Sequence, residues 1–149
     1  MEGVTTDAWT HAQVERYGDL TLTELADLFE SSAPKIDAII HNFPQPIISQ
    51  FVMDAVTHEQ DMRSALGVPG GRDSKAIEVG VGFFLNLFEA SDPALSTALV
   101  NTSVGRWDVL RSLTGRRTIE QMNSLGLDGE AIARQFAGLP FTLPTEAVE

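Results

Sequence analysis

The chain has 149 residues, 43% apolar and 21% charged, with a formal net charge of −11, a composition that suits one soluble domain with a core of its own. The negative balance repels phosphate backbones and argues against nucleic acid as a partner, and the lack of any cysteine excludes disulfides, thiolate metal sites and a cysteine nucleophile. The opening MEGVTTDAWTHAQ lacks a basic segment followed by an apolar run, and the longest apolar stretch, Val79 to Phe88, is broken by Gly80, Gly82 and Asn86, so a cytoplasmic protein with no membrane partner is expected.

In chain order, the first helix signal is Thr21 followed three residues later by Glu24, a capping-box pattern. Leu22, Leu25, Leu28 and Phe29 then recur at helical spacing, and Ile36, Ile39 and Ile40 continue in a second phase. Pro34 lies between the two sets, which predicts a kinked helix or two short helices meeting near Ser32. Pro44 ends this element and Pro46 sits in the first turn of the next, which runs to about Leu66 before GVPGG stops it. Ser74 is expected to cap a helix over KAIEVGVGFFLNLFEA, apolar nearly all round as in the middle of a bundle. STALVNTS has strand-like β-branched content. Ser103, Thr118 with Gln121, and Asp128 are the expected caps of three further helices, and LPFTLPTEAVE is expected to run along the surface. The chain reads as one mostly helical domain over residues 1–149.

The stretch DAVTHEQDMRSALG sets one of only three histidines among acids. At about 100° per residue, Phe51, Val52, Ala55, Met62 and Leu66 share one arc, the expected buried face, and Asp54, His58 and Asp61 line its edge. A carboxylate and an imidazole four residues apart on a helix can chelate one metal ion. The alternative is a half-buried His58 hydrogen-bonded to Asp54 or Asp61, beside a Glu59–Arg63 ion pair. Two ligands alone do not make a zinc site, which takes at least three protein donors.

Three blocks together, AWTHAQVERYGDLTLTELADLFESSAPKIDAII, VMDAVTHEQDMRSALGVPGGRDS and WDVLRSLTGRRTIEQMNSLGLDG, resemble the actinobacterial maleylpyruvate isomerase family of mycothiol-dependent, DinB-like proteins. The resemblance covers nearly the whole chain. It implies a DinB-like helical bundle, incomplete at its N-terminus and carrying additional C-terminal helices, with zinc or another divalent metal held by three side chains. Two of these map onto Asp54 and His58. The third is a histidine on an earlier helix, preceding the region that aligns with DAWTHAQVERYGD; His11 and His41 lie in other segments. Mycothiol would bind at the metal, which lowers its thiol pKa and makes a thiolate nucleophile for cis–trans isomerisation or thiol transfer.

Arg106, Arg111, Arg116 and Arg117 concentrate positive charge in an acidic chain, where they either hold an anionic group or offset neighbouring acids and a helix C-terminus. Trp107 reads as a packing anchor. Gly67, Gly70 and Gly71 do not match a phosphate loop, and no serine sits in a nucleophile elbow. Two functions follow. One is a metal- and thiol-dependent isomerase or transferase acting on a small molecule, with His58 and Asp61 catalytic, Asp54 and His58 on the metal, and Arg111, Arg116 and Arg117 on the cofactor. The other is a non-catalytic module of the same kind that binds a small molecule or a protein. An apolar face left bare on the Lys75–Ala90 helix and near Ile36–Ile40 predicts a homodimer, in which the partner's histidine could complete the ligand set.

Overall fold

Side chains at the helix starts do much of the work of placing the elements. In the computed structural model, which describes residues 6–137, 139 and 141–147, these are α1 (Asp7–Tyr17), α2 (Leu22–Ile40), α3 (Gln45–Leu66), α4 (Lys75–Ser91), α5 (Pro93–Asn101), α6 (Arg106–Leu113), α7 (Ile119–Leu125) and α8 (Gly129–Gln135). No strand occurs among the described residues. The Thr21 hydroxyl accepts from the Glu24 N–H at 3.3 Å, and the Glu24 carboxylate accepts from the Thr21 N–H at 2.8 Å. Thr118 and Gln121 repeat this reciprocal pattern at 3.2 and 2.9 Å. Asp128 accepts from the Ala131 N–H, and Asp92 from the Leu95 N–H with Pro93 in the first turn. Each of these bonds satisfies an N–H that the helix itself leaves without a partner.

Three local expectations are corrected. STALVNTS is helical up to Asn101, because Leu95 and Leu99, four residues apart, bury on one face and outweigh the β-branched preference. Gly105, not Ser103, is the N-cap of α6. Ser74 holds the N-cap position of α4 but makes no capping bond, and its Oγ is buried without a partner. Of the two alternatives at Pro34, one helix forms in place of two short ones, with Pro34 inside α2 and the Ser31 and Ser32 hydroxyls both donating to the Leu28 carbonyl. The sequence reading assigned no helix before Thr21, where α1 forms with Thr6 as its N-cap.

The chain divides into two compact units, Met1–Pro44 and Gln45–Glu149. In the first, α2 has no buried residue, and Leu22 and Phe29 on its apolar stripe are 83% and 78% exposed. The second unit is built around α4, which packs against α3, α5 and α6, while α8 packs against α6 and α7. Ile77, Val81, Phe84 and Phe88 recur at steps of three and four residues and are all buried. The α4 face expected to lie bare is therefore covered, whereas Ile36 and Ile39 do stand exposed. The C-terminal segment returns over this core, with the Phe141 ring 5.8 Å from Phe84 and 5.9 Å from Phe136.

Gly80 sets the approach of α4 to its neighbours: a Cβ there would lie 3.0 Å from Leu110 Cδ1 and 3.5 Å from the Met53 Cα. Gly80→Val should lower the urea midpoint at unchanged slope, by the roughly 1–3 kcal/mol typical of an overfilled core. An unchanged midpoint would mean that the helices are free to separate.

Candidate functional site

The inner face of α3 is not the expected one. Met53, Val56, Thr57 and Gln60 are buried, while Phe51, Met62 and Leu66 are 45%, 60% and 72% exposed. The inner arc carries two polar residues and so does not stand out by apolarity. Both are satisfied: Thr57 Oγ1 donates to the Met53 carbonyl at 2.7 Å, and Gln60 bonds through both ends of its amide. A polar group costs little to bury once it is bonded.

Asp54, His58 and Asp61 lie on one flank of that arc. His58 Nε2 stands 3.6 Å from Asp54 Oδ1, and its Nδ1 stands 3.6 Å from Asp61 Oδ2. The side chains of Asp54 and His58 are 68% and 62% exposed, so this pair stands at the surface and not in an enclosed cavity. The His58 imidazole lowers the pKa of Asp54, and Asp54 in turn raises that of His58 above its ordinary 6.5. At Asp61, burial pushes the pKa up, but hydrogen bonds from Arg116 and Arg111 outweigh it and hold the carboxyl below its usual value.

Those two arginines come from the other end of the unit. Arg111, on the last turn of α6 and 3% exposed, donates from Nη1 to Asp61 Oδ1 at 2.6 Å. Arg116, in the α6–α7 connection, donates from Nη2 to Oδ2 at 2.7 Å and from Nε to Oδ1 at 3.3 Å, a forked grip on the carboxylate. Arg117 is buried and pairs with Asp108 at 3.4 Å, and Arg106 reaches Glu78 at 3.8 Å. Thus Arg111 and Arg117 lie among neighbouring acids, and Arg116 keeps a side chain 25% exposed. The expected Glu59–Arg63 pair is present at 2.8 Å.

The implied metal centre can be tested against these donors. Asp54 and His58 offer two, and both oxygens of Asp61 are engaged by guanidinium groups. No group of three His, Cys, Asp or Glu side chains among the described residues is placed to hold a metal ion. His11 approaches Glu15 at 3.3 Å on α1, and His41 stands at the C-terminus of α2, both within the first unit. The donors fall short of the three that zinc takes.

A second polar constellation is centred on Gln60 of the inner arc of α3, and local sequence patterns do not reveal it. Gln60 Nε2 donates to the Gly70 carbonyl at 3.2 Å, and its Oε1 accepts from the Trp107 indole N–H at 2.8 Å. The Arg72 guanidinium sits 3.9 Å from the centre of the Trp107 ring. Gln60, Arg72 and Trp107 border a cavity of about 210 Å³. The available signal was an arginine closing a glycine-rich turn, together with a tryptophan at a helix start. Trp107 does anchor packing, as expected, and also carries a cation.

No protein-family model matches this chain, and no curated protein or solved structure matches it. No helix among the described residues is long and apolar enough to cross a membrane.

Arg111→Met should destabilise the fold by on the order of 2 kcal/mol, less than a fully buried broken pair, because Asp61 is one third open to water and keeps Arg116. Urea denaturation checks this, and a loss below about 0.5 kcal/mol, the range of ordinary surface changes, would reduce the pair to a surface contact. The pKa shifts set a pH signature of the opposite sign at each end. The lowered Asp54 and Asp61 stabilise the fold above their ordinary 3.8, and that contribution is lost as pH falls through their folded values. The raised His58 stabilises it below 6.5 and loses that contribution as pH rises through its folded value. His58→Gln should therefore flatten the decline in stability as pH rises above 6.5, relative to wild type. Identical slopes would show that the Asp54–His58 contact does not persist in solution.

Proposed function

We propose that this chain is a helical small-molecule-binding module of the DinB-like, maleylpyruvate isomerase type, working without a complete metal centre of its own. The observation that carries this reading is the state of Asp61. The acid expected to assist His58 is held by Arg111 and Arg116, and it braces α3 against the α6–α7 connection. A ligand is then held by polar groups on the flanks of α3 rather than activated by a metal. In a thermal-shift screen of small polar compounds, at least one should raise the melting temperature in a concentration-dependent way, as any ligand selective for the folded state must. A screen in which nothing does so overturns the reading.

The approach of Asp54 and His58 to 3.6 Å favours a second reading, a zinc- and mycothiol-dependent isomerase or thiol transferase. In that case Asp54 and His58 supply two ligands, Asp61 positions His58, and the exposed edge of Arg116, with Arg111 and Arg117 behind it, meets the anionic part of the thiol cofactor. Bound zinc would supply a lowered thiol pKa. Protein purified from zinc-supplemented cells should then carry stoichiometric metal that His58→Ala abolishes. Equal zinc in the two proteins rules out this ligand assignment.

A second copy of the chain is the partner in either reading. The apolar stripe of α2, with Leu22, Phe29 and Ile36 exposed, is the kind of surface that pairs symmetrically. Light scattering at micromolar concentration should give twice the 16.2 kDa of one chain, and Phe29→Glu should return it to one; a wild-type monomer refutes the pairing.

A further inference from the structure

We infer that the cavity between the C-terminal end of α3, the turn after it and Trp107 binds a small organic carboxylate through Arg72. This rests on the small-molecule reading above and gives it a site and a ligand class.

The cavity walls are held in place before any ligand arrives. Gln60 is 3% exposed and spends both ends of its amide on the walls, one on the Gly70 carbonyl and one on the Trp107 indole N–H. Two glycines help the turn to lie close. A Cβ at Gly70 would come within 3.0 Å of Arg63 Nη1, and Gly71 adopts φ +67°, where a side chain is strained. The Trp107 ring is therefore fixed in the cavity wall, which Arg63 and Pro69 also line.

Charge selects the ligand. Arg63 is paired with Glu59 and Arg117 with Asp108, so those two cations are neutralised. Arg72 has no carboxylate within 4 Å among the described residues; its contact is the indole, which holds the guanidinium over the ring and leaves its edge N–H groups for another acceptor. In a chain of net charge −11, one stacked and unpaired guanidinium beside a cavity is a local reversal of sign. Its planar fork matches the two oxygens of a carboxylate. With Arg63 already paired, one free positive charge beside the cavity suits a monoanion better than a phosphate dianion, which would carry twice the charge into the same acidic field. At about 210 Å³ the cavity is smaller than the roughly 300–1,000 Å³ of sites for drug-sized molecules, which limits the ligand to a compact metabolite.

Trp107 provides its own reporter. The chain has two tryptophans, so a Trp9→Phe background leaves one indole N–H signal, from the group bonded to Gln60. In heteronuclear NMR at constant ionic strength, sodium butyrate should shift that signal saturably, and butyramide and inorganic phosphate should bind at least tenfold more weakly. Arg72→Gln should weaken butyrate at least tenfold, while Arg134→Gln, which removes an exposed arginine of α8 away from the cavity, should leave it unchanged. Phosphate binding as tightly as butyrate overturns the carboxylate assignment. Compounds that stabilise wild type and Arg72→Gln equally in the thermal screen overturn this site and leave the small-molecule reading standing. A silent indole signal together with a thermal screen without hits overturns both.

Discussion

Asp61 receives hydrogen bonds from two guanidinium groups, one of them buried, and the polar half of the second unit is organised by that fact. A buried Arg111 without its carboxylate would carry a heavy desolvation cost, so the end of α6 must meet α3 where Asp61 stands. That requirement joins residues 50 and 55 positions apart in the chain. It also places the α6–α7 connection, and with it Arg117 against Asp108 and Trp107. His58, beside an acid already held by two cations, is left to interact chiefly with Asp54.

Immediately before Asp61, Gln60 makes a second cross-link of different chemistry. It is neutral and buried, and each end of its amide is matched to a partner of opposite character. An amide satisfied in this way rigidifies its surroundings, whereas a half-satisfied one would be a defect. The Gly67–Gly71 turn and the Trp107 ring are therefore set by the same side chain, and the cavity between them follows. The charge pair at Asp61 and the amide at Gln60 lie on adjacent parts of α3 yet support separate surfaces. Substitutions on the His58 flank and on the Arg72 side thus report on separate questions.

α3 presents apolar groups in two directions, so periodicity alone does not say which of them turns inward. Phe51, Met62 and Leu66 form the larger and more continuous apolar arc, but α4 packs on the arc of Met53 and Val56, which also contains Thr57 and Gln60. The exposed arc of α3 and the exposed stripe of α2 are surfaces of the same kind, and the stripe of α2 is the one assigned here to a second copy of the chain.

Helix positions were legible in the residues themselves because they depend on neighbours three or four apart: Thr21 with Glu24, Thr118 with Gln121, Asp128 before Ala131, and the glycine turn after Leu66. The Glu59–Arg63 pair and the central character of α4 were local or compositional in the same way. The Arg111 and Arg116 grip on Asp61, the Gln60–Trp107 bond and the stack of Arg72 on Trp107 could not be read from any window of the sequence. Each joins residues 35 to 55 positions apart, and nothing in the local pattern of either partner names the other. Sequence alone determined that the chain is helical, acidic and cysteine-free, and where most of its helices begin. Tertiary structure decided which face of α3 turns inward, because that choice depends on which polar groups find partners once the helices meet.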